Sequence, residues 1–114
     1  MSRRRSAARL AEAAPVFAAL GDETRLRLVS RLCAEGPLST SRLHEGTEVT
    51  RQAITKHLEA LGGAGVVRDE RRGRERVWAL EPKRLEVARR CLDEVSAQWD
   101  DALLRLKDFV EKEG

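Results

Sequence analysis

The sequence predicts a mainly α-helical chain carrying one small β-hairpin. Three observations predict it. Apolar residues recur at helical spacing through most of the 114 residues. Two hydroxyl-capped helix starts follow each other in the middle of the chain. A short arginine-rich stretch alternates with a period of two around Gly73 and is closed by Pro82.

Taken in order, residues 1–8 read as a disordered basic arm with Arg3, Arg4 and Arg5. A first helix is expected over Leu10 to Leu20, with Leu10, Ala13, Ala14, Phe17 and Leu20 on one face. Pro15 either starts a turn of it or kinks it, because proline lacks the N–H an interior position needs. Gly21 ends this element and Asp22 caps the next, over about Glu23 to Ala34. Its expected buried stripe is Leu26, Val29, Leu32 and Cys33. Gly36-Pro37 breaks the chain.

The two short helices that follow share one signal. Leu38 precedes the cap Ser39 and Leu43 falls at the fourth helical position; Val49 precedes Thr50 and Ile54 falls at the fourth. Each is a hydroxyl cap bracketed by a hydrophobic staple. With the turn at Gly46-Thr47, the pair outlines a helix-turn-helix. The second helix, Thr50 to Leu61, ends at Gly62, Gly63 and Gly65, since glycine costs about 0.8–1 kcal/mol inside a helix relative to alanine. Val66 to Asp69 and Glu75 to Leu80 are expected strands, with Arg71 to Arg74 at the tip. A long final helix is expected over about Lys83 to Lys112. The organisation is therefore an arm (1–8), a winged helix-turn-helix (9–82) and a C-terminal dimerisation helix (83–114) in one compact domain.

Composition bounds the function. Apolar residues make up 41% of the chain, enough for a small core, and domains of this size gain by burying surface against a partner. The net charge of +3 argues weakly for nucleic acid, so the placement of charge matters more. No run reaches the roughly 18 apolar residues of a membrane span, and no secretory signal follows the basic start; a cytoplasmic protein is expected. Two distant cysteines, Cys33 and Cys91, read as buried thiols rather than a disulfide.

Helix Thr50–Leu61 divides by face. Ile54, Leu58 and Leu61 point to the core, while Thr50, Arg51, Gln52, Thr55 and Lys56 offer groups suited to a major groove. Arginine pairs with guanine and glutamine with adenine. Alone, that face is equally well explained as a solvated surface. The hairpin tips the balance. Arg68, Arg71, Arg72, Arg74 and Arg76 crowd one ribbon, and arginine suits bidentate phosphate contact. Arg71, Arg72 and Arg74 are the expected backbone contacts. Asp69, Glu70 and Glu75 dilute the charge, so some of these arginines pair within the protein.

In the last helix, Leu85, Leu92, Trp99 and Leu106 repeat every seven residues, with Ala88, Val95, Ala102 and Phe109 three behind each. So long a stripe exceeds what a small domain buries, and a second chain is the expected cover. Leu85, Leu92, Val95, Trp99, Leu106 and Phe109 are the expected dimer contacts. An enzyme is not expected: no nucleophile stands with a base, Asp100 and Asp101 are adjacent on a helix and cannot converge, and no phosphate loop exists.

Phe17 to Leu28 (FAALGDETRLRL), Thr50 to Leu58 (TRQAITKHL) and Ala64 to Val67 (AGVV) with the hairpin after it give the chain a resemblance to the ArsR/SmtB family of bacterial regulators. It covers most of Ala14 to Leu80. The resemblance implies a two-fold dimer built on the first and last helices, usually a repressor, with one recognition helix per half-site; here that helix is Thr50–Leu61. Gly62-Gly63 departs from the polar residues usual at the helix end. Many members bind metal through a cysteine pair in the first helix of the helix-turn-helix, or through Asp, His and Glu ligands along the last helix. Leu38 to Glu45 has no cysteine and the last helix no histidine. Cys33, His44, His57 and Cys91 stand in four separate places, so no metal site and no cofactor are expected. The expected function is sequence-specific binding of double-stranded DNA by a homodimeric regulator. A metal-responsive repressor and a winged helix that binds only proteins are the alternatives.

Overall fold

The computed structural model describes residues 3–113. Five helices and three strands run α1 (Arg3–Leu20), α2 (Glu23–Glu35), β1 (Leu38–Ser39), α3 (Thr40–His44), α4 (Arg51–Gly63), β2 (Val67–Arg72), β3 (Glu75–Leu80) and α5 (Pro82–Glu113). The mainly helical winged helix-turn-helix is the architecture observed.

The N-terminal helix departs from expectation. It begins at Arg3 rather than after residue 8, and it continues through Pro15. Arginine and alanine are among the best helix formers, so Arg3 to Arg9 extends the helix at little cost. Residues 1 and 2 of the expected arm lie outside the described residues. The buried face is also rotated: Ala13, Val16 and Ala19 are buried, Phe17 and Leu20 are half-buried, and Leu10 is exposed. Small residues at those positions let α1 lie close against its neighbours, α2, α4 and α5.

Asp22 caps α2 by accepting the Arg25 N–H at 3.0 Å, and that hydrogen bond holds its carboxyl below the usual range. Gly36, at φ 81, returns its N–H to Leu32 at 3.0 Å. Of the expected stripe Val29 and Leu32 are buried, with Leu28 in place of Leu26 and Cys33. Leu26 is half-exposed and Cys33 is exposed. The inward position one turn before Leu28 and Val29 belongs instead to Arg25. Its guanidinium reaches out from the core edge, Nε donating to the Ala19 carbonyl at 2.5 Å and one Nη to His57 Nδ1 at 3.3 Å. A polar residue on the inner face thus displaced the apolar stripe by part of a turn.

Both hydroxyl caps form as expected. Ser39 Oγ accepts from Arg42 N–H and Thr50 Oγ1 from Ala53 N–H, each at 3.1 Å. Between them, His44 Nε2 donates to the Val49 carbonyl at 3.1 Å and Thr47 Oγ1 donates to the His44 carbonyl at 2.7 Å, which fixes the turn. α4 outlasts its expected end by two residues because Gly62 and Gly63 stay helical; the chain leaves the helix at Gly65, with φ 79.

The sheet is antiparallel with order β1-β3-β2. The hairpin closes at the pair Arg72–Glu75 over Gly73-Arg74, with Gly73 at φ 63. A positive φ at the first turn position is the reason glycine stands there. β1 is an addition to the sequence reading: Leu38 and Ser39 pair with Trp78 and Val77 and join the helix-turn-helix to the hairpin.

The core gathers Val16, Leu28, Leu32, Leu43, Ile54, Leu58, Leu61, Val66, Val67, Trp78 and Ala88. Trp78, at 1% exposure, is its largest side chain, and its indole N–H donates to Thr40 Oγ1 at 3.0 Å. Thr40→Val keeps the shape and leaves that buried N–H without an acceptor. We expect a loss of about 1–3 kcal/mol in a denaturant titration, and an unchanged midpoint would show the bond to be dispensable.

Candidate nucleic-acid interface

The phase of α4 is set by Ile54, Leu58 and Leu61, each fully buried. Fixing that stripe fixes the opposite one. Arg51, Gln52, Lys56 and Glu59 are exposed, and Thr55 is half-buried. Thr50 is exposed, but its oxygen is engaged as the cap, leaving its hydroxyl hydrogen to donate outward. Thr55 Oγ1 donates to the Arg51 carbonyl at 3.1 Å, so its methyl and a lone pair are what it can offer a base.

The hairpin sorts its arginines by face. Period two and the observed register put Val67, Asp69 and Arg71 on one face with Leu80, Trp78 and Arg76. This face packs on the core and meets α4. Arg68, Glu70 and Arg72 lie on the other. Three of the five arginines are engaged internally. Arg68 pairs with Glu81 at 3.2 Å and Arg72 with Glu70 at 3.4 Å, both on the surface. Arg76 donates from Nε to Asp69 at 2.5 Å, reaches Glu59 of α4 at 3.5 Å, and stacks 4.4 Å from the centre of the Trp78 ring. The Asp69 hydrogen bond, with Glu59 behind it, raises the Arg76 guanidinium above its ordinary pKa against the opposing effect of burial.

Among the described residues, the side chains of Arg51, Lys56, Arg71 and Arg74 have no ion-pair partner. Of the sequence-expected set, therefore, Arg51, Gln52, Lys56, Arg71 and Arg74 stand free on α4 and the wing tip. Thr50 and Thr55 are partly committed to the helix, and the charge of Arg72 is shared with Glu70. Internal pairing of some hairpin arginines, with Asp69 among the carboxylates, was expected; that Arg76 is the one held, and that Glu59 of α4 joins it, was not. Its one sequence signal is alternation: Arg76 shares a strand face with Trp78 and Leu80, where a cation needs carboxylates.

The histidines are structural. His44 fastens the turn. His57 sits inside the α1–α2 corner, 3.8 Å from Asp22 and in reach of Arg25. Among the described residues no group of three or more His, Cys, Asp or Glu side chains converges on one point. Cys33 on α2 is exposed and Cys91 on α5 is buried.

A family model described as a helix-turn-helix domain matches residues 20–70. The HTH-type transcriptional regulator Rv2034 of Mycobacterium tuberculosis is 38% identical over 96 residues, which are 84% of this chain and 86% of the relative. An ArsR-like transcriptional regulator from Rhodococcus sp. RHA1 superposes with a TM-score of 0.68 at 39% identity, over 87% of this chain and 92% of its own. The homodimeric winged helix-turn-helix DNA-binding domain of a possible ArsR-family regulator from Mycobacterium bovis superposes with a TM-score of 0.62 at 28% identity, over 86% of this chain and 88% of its own.

Proposed function

This chain belongs to the ArsR family of winged helix-turn-helix transcriptional regulators, and on that premise we propose that it is a homodimeric repressor binding a two-fold DNA operator. The observation that carries the reading is the set of uncommitted groups on adjoining elements: Arg51, Gln52 and Lys56 on α4, Arg71 and Arg74 on the wing. α4 enters a major groove, Gln52 and Arg51 read base edges, and the wing arginines follow the flanking backbone. Thr50, Thr55 and Arg72 supply further contacts at the groove edge.

The dimer follows from α5. Its 32 residues extend about 48 Å at 1.5 Å per residue, well past the rest of the domain. One face turns inward: Ala88 and Cys91 are buried, Leu85 packs against the chain's own core, and Arg9 of α1 pairs with Glu94. Leu92, Trp99, Leu103, Leu106 and Val110 continue the same side of the helix, within about 60° of Ala88 at about 100° per residue, mostly beyond the part covered by the rest of the chain, and each is more than half exposed. Phe109 widens it. Water does not tolerate so long an apolar stripe, and a second copy is the cover that gives a two-fold protein for a two-fold site. Of the expected contacts, Leu92, Trp99, Leu106 and Phe109 fit this seam. Val95 is half-buried beside it, and Leu85 serves the protomer's own core.

A duplex selected by the protein from random-sequence DNA tests the reading. Two half-sites about one helical turn apart are expected; failure to enrich any sequence would refute it. On that duplex, Gln52→Ala relaxes base preference by about 1–3 kcal/mol at one position per half-site. Arg71→Ala or Arg74→Ala weakens all duplexes alike and lowers the slope of log affinity against log salt by about one.

Trp99→Asp places a charge in the seam, where burial without a partner is costly. We expect a monomer in sedimentation and a loss of operator binding; an intact dimer would move the interface elsewhere. Control does not run through a metal, in this reading, because the thiols and imidazoles stand apart. Zinc or arsenite titrated into the reduced protein on its selected duplex should leave affinity unchanged. Stoichiometric binding that lowers DNA affinity, and that is abolished in Cys33→Ser or Cys91→Ser, would overturn this.

A further inference from the structure

The sequence reading expects Arg71, Arg72 and Arg74 on the DNA backbone and some of the hairpin arginines paired within the protein. The geometry separates one of them. Arg76 is two-thirds buried, on the inward face of β3, with its guanidinium over the Trp78 ring and its nitrogens on two carboxylates from two different elements. Asp69 belongs to β2, across the hairpin; Glu59 belongs to the outer face of α4. Both carboxylates stay partly exposed beside α4, and neither has another cation within ion-pair distance among the described residues. Two negative charges beside a DNA-binding surface oppose binding, unless they hold something in place.

We propose that Arg76 is a positioning residue that fixes the angle between recognition helix and wing, so that both engage one stretch of DNA at once. The assignment rests on the reading that α4 and the wing bind DNA. Gly62 and Gly63 explain the need for such a clamp. They end α4 in two residues of low helix propensity, and Gly65 at φ 79 follows before β2 begins. The covalent joint between helix and wing is thus glycine-rich, closed by the Gly65 N–H on the Gly62 carbonyl and the Val66 N–H on the Leu61 carbonyl, and glycine adds backbone freedom there. One side-chain contact, Arg76 Nη1 to Glu59 Oε2 at 3.5 Å, spans it directly. Arginine suits the task because a planar guanidinium holds two carboxylates and a ring face together, which a lysine ammonium on a flexible stem does not.

This role is separable from a phosphate contact. Loss of a phosphate contact weakens binding to all duplexes alike; loss of a clamp falls on the selected duplex. Removing Asp69 by itself lowers local negative charge and raises affinity for every duplex equally if Asp69 is a bystander. If it holds Arg76, the loss falls on the selected duplex, which needs helix and wing in register.

The experiment measures affinity for the selected duplex and for a scrambled duplex of equal length, in Arg76→Lys, Asp69→Ala and the double variant. Thermal midpoints are followed in parallel. The ratio of the two affinities is expected to fall about fivefold in each single variant and no further in the double, as for residues acting as one unit. Footprinting should retain protection by the recognition helix and lose definition on the flanking backbone. A ratio unchanged in Arg76→Lys, or single effects that multiply in the double variant, would overturn the assignment. Gln52→Ala and Arg71→Ala are the controls for the underlying reading: if both leave binding unaltered, the DNA surface lies elsewhere and the clamp falls with it.

Discussion

The burial of Trp78 is the interaction on which the rest of this structure depends. It sits in the middle strand, paired with Leu38 on one side and Asp69 on the other. Its N–H is satisfied by Thr40 of α3, and its ring edge lies below the end of α4, where a Cβ at Gly62 would stand 3.8 Å away. One side chain therefore touches the helix-turn-helix, the recognition helix and the wing. Removing a ring this buried costs about 3–5 kcal/mol in comparable cores. The greater consequence is geometric, because the wing has no other apolar anchor beyond Val67 and the strand ends.

Charge is allocated with the same economy. The hairpin is rich in arginine, yet much of that charge is turned inward or sideways onto Glu81, Glu70, Asp69 and Glu59. Exposed pairs of this kind contribute little to stability. Their effect is to leave a defined subset, Arg71 and Arg74, free at the tip. The recognition helix repeats the arrangement: its apolar stripe is fully buried, and that stripe decides which residues face outward. Specificity on such a surface depends less on how many cations there are than on how rigidly the uncommitted ones are held.

α5 has one apolar face whose two stretches have different obligations. Its first part packs on α1 and closes the protomer's core; the rest, Leu92 to Val110, stays more than half exposed. A domain of this size buries a modest share of its surface alone. The dimer proposed through that exposed stretch would add to protomer stability and set the spacing of the two copies of α4, coupling folding, assembly and DNA binding through one helix.

Much of this was legible in the sequence, and the legible parts share a cause. The paired caps Ser39 and Thr50, the staples that bracket them, the core stripe Ile54-Leu58-Leu61 and the turn at Gly73 are local: residues within one turn of each other settle them. The family resemblance carried by Phe17–Leu28 and Thr50–Leu58 rests on the same short segments. What the sequence left open needed contacts between distant residues. The face of α2 was misplaced because Arg25 takes an inward position to reach Ala19 and His57, and Cys33 turned outward as a result. The seam of α5 divided into a covered first part and an exposed remainder only once α1 was packed against it. The arginines of the wing look alike in a string of letters. Only tertiary structure brings Glu59, seventeen residues away, to Arg76, because an ion pair across two elements is decided by where the core has put them.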